Sequence, residues 1–154
     1  MRTIAVSGSP TPQPRARIST RGKFARAYVP ADHAIHEWRR SVAEEAAKVV
    51  ERTTESSLEM KIDIFIARPK SHYLASRKIK RGVPVRPRPD VDNYAKGILD
   101  ALEGIIFEND SQVVSLEVKK QWANRDVGLA VISWRKLRDA ELQKAAHGTA
   151  NTAN

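Results

Sequence analysis

Residues 58–67, LEMKIDIFIA, alternate strictly between apolar and polar. Leu58, Met60, Ile62, Ile64 and Ile66 point one way and Glu59, Lys61 and Asp63 the other, which predicts a half-buried strand. A shorter run, residues 2–8, puts Ile4 and Val6 on one face and reads as a second strand. Residues 112–122 alternate through Val114, Leu116 and Val118, and residues 127–134 are another strand; the short "ANRD" between them predicts a hairpin. Apolar residues at three- and four-residue spacing (Ile35, Trp38, Val42, Ala46, Val49) predict a helix capped by Asp32 and running to about Arg52. A second helix begins near Asp92 or Asn93 and stops at Gly104, with Val91, Ala95, Ile98, Leu99 and Leu102 toward the core. Residues 135–146 read as a closing helix. Pro and Gly make residues 9–26 a loop, and residues 68–89 form a long basic loop.

The element order is strand, loop, helix, strand, loop, helix, hairpin, helix. That order predicts an α+β fold: a single mixed β-sheet with helices packed against it. The 154 residues suit one domain, 1–147, followed by a disordered tail, 148–154. Tryptophans 38, 122 and 134 fit as core or interface residues. There is no cysteine, so no disulfide, thiolate metal site or thiol nucleophile is expected. No apolar run reaches the length of a membrane span, and the first residues do not form a signal peptide. The expectation is a soluble cytoplasmic protein.

Charge adds a partner. The chain has 27 Lys and Arg against 18 Asp and Glu, a net charge of +9. The cations concentrate in the two loops: Arg15, Arg17, Arg21 and Lys23 in the first, and Lys70, Arg77, Lys78, Lys80, Arg86 and Arg88 in the second. Residues 68–89 contain no acid at all. Such segments suit the phosphate backbone of a nucleic acid.

Against this background the carboxylates after residue 89 stand out. At about 100° per residue, Asp92, Asn93, Lys96, Asp100 and Glu103 share one quadrant of the second helix. Asp90 precedes that helix and Asp110 opens the next strand. The ordinary reading is a solvated face: acids favoured by the macrodipole, with Asp92–Lys96 and Lys96–Asp100 as i,i+4 pairs. The other reading takes in the basic loop. Bare carboxylates would repel phosphates held next to them, and a divalent cation resolves the conflict. Mg²⁺ takes oxygen ligands from a few carboxylates and completes its shell with water and phosphate oxygens. Such a site hydrolyses phosphodiesters, and a lysine can stabilise the added negative charge.

The stretch PDVDNYAKGILDALEG followed by NDSQVVSLEVKK resembles the RusA family of Holliday junction resolvases. Asp90, Asp92, Asn93, Lys96, Asp100-Ala101-Leu102, Gly104 and Asp110-Ser111-Gln112-Val113 stand at the family's spacing. RPKSHY (68–73) and the early SGSPTPQPR are also similar to stretches of phage members. The resemblance implies a homodimeric, Mg²⁺-dependent endonuclease, with Mn²⁺ as an alternative ion and no small-molecule cofactor. Its substrate would be branched DNA, four-way junctions nicked symmetrically in recombination and repair, in a bacterial or phage-infected cell. Asp90, Asp92 and Asp110 would be the metal ligands and Lys96 the catalytic lysine. One departure is Asn109, where the family usually has an acid. Two alternatives stand beside this reading. Pro89-Asp90 with Glu117-Val118-Lys119 superficially matches the restriction-type PD…(D/E)xK signature. A non-catalytic junction-binding module would keep the cations and use the acids only as caps and surface pairs. Tyr73 or Phe24 could stack on bases, and His72 could touch phosphate. No histidine pair has metal-ligand spacing.

Overall fold

In a computed structural model, the described residues are 1–15, 17–19, 26–124, 126–138 and 140–143. Four strands form one mixed sheet in the order β1 (Arg2–Gly8), β6 (Gly128–Lys136), β4 (Leu58–Ile66), β5 (Val113–Trp122). β6 runs antiparallel to both β1 and β4, whereas β4 and β5 are parallel. A parallel pair needs a crossover, and helix α2 (Val91–Leu102) supplies it. Helix α1 (Ile35–Ala47) packs beside α2 and over β1.

The strongest alternation in the chain takes a central position. Leu58, Met60, Ile62 and Ile64 of β4 are all buried. They meet Ile4 and Val6, Ala130, Ile132 and Trp134, and the inner faces of both helices, in one core. The other sheet face is polar: Thr3 and Ser133 hydroxyls lie 2.9 Å apart, and Glu59 pairs with Arg135. No helix among the described residues is long and apolar enough to cross a membrane.

Several sequence expectations are corrected. β5 and β6 are not a hairpin, because β4 lies between them. β6 buries alternate residues from Gly128 to Trp134 and suits an interior strand, whereas β5, with Glu117, Lys119 and Lys120, suits an edge. α1 starts three residues after Asp32. His33 serves the first turn instead, its ring Nδ1 accepting from the Ile35 backbone N–H at 3.1 Å. α1 also stops before Arg52, leaving Val49 exposed, as the chain turns to bond Thr54 to Ile106. The first loop contains a two-stranded antiparallel ribbon, β2 (Arg17–Ser19) with β3 (Arg26–Tyr28). The proposed closing helix is cut short at its start, since β6 continues to Lys136; residues 140–143 are helical. Residue 139 and the tail, 144–154, lie outside the described residues.

Candidate active site

α2 is rotated from the expected wheel. Its buried residues are Tyr94, Ala95, Gly97, Ile98, Ala101 and Leu102, while Val91 is exposed and Leu99 half-buried. Two residues explain the turn. A Cβ on Gly97 would come within 3.1 Å of Ile35 Cδ1 and 3.4 Å of the Thr11 carbonyl, so glycine lets α1 and the proline-rich segment approach. Tyr94 is buried, and its hydroxyl donates to the Arg88 carbonyl at 3.2 Å, tethering the end of the basic loop. Burial raises the Tyr94 phenol above its ordinary value.

The rotation opens a groove of about 620 Å³ between α2 and β5. Asp92, Asn93, Lys96 and Asp100 come from α2, Asp110 from the turn before β5, and Leu116 and Val118 from β5 itself. Asp92, Lys96 and Asp110 are exposed and make no ion pair with one another. The expected i,i+4 pairs are therefore absent among the described residues. Asp100 pairs instead with Arg39 of α1, whose guanidinium also donates to Gln13 Oε1 at 2.6 Å. Gln13 in turn donates its backbone N–H to the Asn93 carbonyl at 2.8 Å. Arg39 thus takes Asp100 out of the reactive set and pins the β1–β2 segment along α2.

Asp90 is the N-cap residue of α2, yet its side chain makes no capping bond. It is exposed and stands before the groove rather than in its lining. Asp110 is held by its neighbours. Asn109 Oδ1 accepts from the Ser111 N–H at 3.0 Å. Gln112 Oε1 accepts from the N–H groups of Glu108 and Asn109, both at 2.9 Å. The Gln112 amide donates to the Thr54 carbonyl at 2.6 Å and the Ser56 carbonyl at 3.3 Å. The Asn109-Asp110-Ser111-Gln112 run is therefore a capped turn stapled to residues 54–56, and Asn109 has a capping role that an aspartate could also fill.

Residues missed in the sequence hold the entry to α2. Lys120 donates to the Pro89 carbonyl and lies 5.9 Å from the Tyr94 ring centroid. Its period-two spacing from Leu116 and Val118 places it on the groove side, a signal the sequence does carry. Trp122 is a second anchor. Its indole N–H donates to the Pro84 carbonyl at 3.0 Å, Arg68 lies over its ring at 5.0 Å, and His72 meets it edge-on at 5.4 Å. The His72 ring therefore packs on Trp122. Tyr73 is half-buried and bridged to Ile79, a loop anchor. The turn they close has Arg77 at φ 61, and the Arg88–Pro89 peptide is cis.

The cations of this loop, Lys70, Arg77, Lys78, Lys80, Arg86 and Arg88, are all exposed, as is Arg15. Arg17 lies in β2; Arg21, Lys23 and Phe24 lie outside the described residues. The restriction-type alternative loses its geometry. Leu116 and Val118 line the groove, so Glu117 and Lys119 face the opposite side of the sheet. There they pair with each other, and Glu117 also lies 3.4 Å from Lys61. The Lys119 ammonium, with Lys61, holds the Glu117 carboxyl below its ordinary value.

The groove offers hard oxygen donors of the kind Mg²⁺ takes. Among the described residues, no group of three or more His, Cys, Asp or Glu is gathered closely enough to hold a metal ion unaided. Asp92 and Asp110, the two groove carboxylates that Arg39 does not engage, still fit a cation that is usually bound through one or two carboxylates together with water and substrate phosphates.

Comparison with known proteins agrees with the motif. Endodeoxyribonuclease RusA is the family whose profile matches, over residues 7–132. The chain is also 42% identical over 65 residues to the uncharacterized protein YqaN of Bacillus subtilis (strain 168), a match covering 40% of this chain and 46% of that protein. The chain thus spans less than half the length of that relative. The profile match runs from the last residues of β1 to the middle of β6 and takes in the whole groove, so this chain belongs to the RusA endodeoxyribonuclease family.

Proposed function

We propose that the chain is a Mg²⁺-dependent endodeoxyribonuclease that resolves four-way DNA junctions by paired, symmetric nicks. The observation that carries this is the α2–β5 groove, where Asp92, Lys96 and Asp110 stand together and, among the described residues, make no ion pair. Asp92 and Asp110 would hold the cation, with Asp90 reaching in from the head of α2. When bound, the ion polarises a phosphoryl oxygen and lowers the pKa of a water. Lys96 stabilises the negative charge that develops as the water oxygen attacks phosphorus. One P–O bond forms, one P–O ester bond breaks, and the leaving oxygen is protonated. Exposed cations of residues 68–88 hold the phosphate backbone on the approach to the groove. Two copies related by a two-fold axis would meet the two-fold symmetry of the junction, in the cytoplasm of a bacterial or phage-infected cell.

The test is a labelled synthetic junction beside a matched linear duplex, in Mg²⁺ and in EDTA. Symmetric nicks on the junction alone are expected. They should be absent in EDTA and at least about 100-fold slower in Asp92→Asn and Lys96→Met, with junction binding retained. Junction binding without cutting in every condition would instead support a non-catalytic binding module.

A further inference from the structure

A second cleft, of about 610 Å³, opens where α1 ends, β1 begins and β6 finishes. It shares no residue with the α2–β5 groove, and its charge is inverted. The groove presents Asp92, Asp100 and Asp110 against Lys96. The cleft presents Arg2, Arg52, Arg135 and Lys136 against Glu51. Arg135 is already matched, lying 2.7 Å from Glu141 and paired with Glu59. Among the described residues Arg2 donates once, to the Val49 carbonyl at 3.3 Å, which leaves most of its guanidinium N–H groups without a partner there. Arg52 and Lys136 are exposed and make no ion pair among the described residues. Of the apolar lining residues, Met1 and Val49 are exposed, but Leu58, Ile106 and the aromatic Trp134 are buried, so the cleft offers no open aromatic face for a base. What it offers an incoming chain is positive charge and guanidinium donors.

We infer that this cleft holds the sugar–phosphate backbone of a second DNA segment, through Arg2, Arg52 and Lys136 and without a metal ion. The inference rests on the nuclease reading and adds a division of labour. The acidic groove accepts phosphate only with a cation, whereas the basic cleft accepts it directly. Binding there is independent of sequence, because phosphate contacts position a duplex without reading its bases. A molecule with both sites holds one arm of a branched substrate while another enters the groove.

The test uses the full chain, a fluorescent four-way junction, EDTA and a salt series. Each phosphate contact adds about 0.9 to the slope of log affinity against log salt. Arg52→Gln/Lys136→Gln is expected to lower that slope by roughly 1.8 and to weaken low-salt binding about 10-fold or more. Its thermal unfolding should match the parent's, since both side chains are exposed. Arg40→Gln/Lys61→Gln removes equal charge from surfaces outside the cleft and should leave the slope nearly unchanged. An unchanged slope in the first variant, or an equal fall in the second, overturns the inference while leaving the nuclease reading standing. If the parent binds no junction at all, both readings fall together.

Discussion

At the residue scale, Tyr94 joins the loop to the core. Its ring is buried in the core, while its hydroxyl reaches the carbonyl of Arg88. Burial disfavours the phenolate, so the folded chain holds Tyr94 above its ordinary value of 10.0. A raised value gives stability that is complete below pH 10.0 and is lost as pH climbs through the folded value. Tyr94→Phe cannot ionise. It is expected to cost about 1 kcal/mol at pH 7 through the lost hydrogen bond, yet to flatten the alkaline limb of unfolding. Urea titrations at pH 7 and in steps above pH 10 read both effects. Arg39 is a second residue whose reach exceeds its own helix, because one guanidinium bonds Gln13 and Asp100 at once. Sequence spacing could not show that pair, since its partners lie on three separate segments.

At the element scale, the short turn over Asp110–Gln112 does more than join α2 to β5. Gln112 closes it with four hydrogen bonds, two inside the turn and two to the chain before β4. Gln112→Ala is expected to lower stability by about 2 kcal/mol, because it leaves several backbone groups without partners. It should also slow cleavage at saturating protein more than it weakens junction binding, since Asp110 loses its support. Thermal unfolding and single-turnover cleavage, measured on one preparation, separate the two. The elements were legible to unequal degrees. β1 and β4 are visible in their alternation almost to the residue, because each buries one face. The existence of α2 was plain, but its rotation was not. That depends on Gly97 admitting Ile35 and Thr11, contacts made by distant parts of the chain. The hairpin expected from "ANRD" failed because a short loop limits distance and not adjacency; it can step over the end of one intervening strand.

At the scale of the whole molecule, the proposed DNA contacts divide between two clefts of opposite charge. The acidic set was legible in the sequence because Asp92, Lys96 and Asp100 share a helix. The basic cleft was not, because Arg2, Arg52 and Lys136 meet only after the sheet closes. The proposed symmetric reaction makes its own prediction. Parent protein mixed with excess Asp92→Asn and allowed to exchange should give mixed dimers that nick one strand of a junction and leave its counterpart intact. Quantifying nicked against fully resolved product on a denaturing gel measures this. Resolution persisting well above the fraction of remaining parent homodimer, with no build-up of singly nicked junction, would show that the two sites do not act within one bound complex.

The strand order has a consequence for how the chain is made. β4, α2 and β5 follow one another and can associate as soon as they leave the ribosome, but β6, the last strand, belongs in the gap between β1 and β4. Until it is synthesised, β1 has no partner in this sheet and one edge of β4 is open. Unpaired edges of this kind invite pairing with other chains. The groove can take shape early, on β5 and α2, but the basic cleft needs Trp134, Arg135 and Lys136 and forms only with the final strand. A nascent or truncated chain ending before β6 would therefore carry the acidic groove without the basic cleft, and it would be the species most exposed to aggregation.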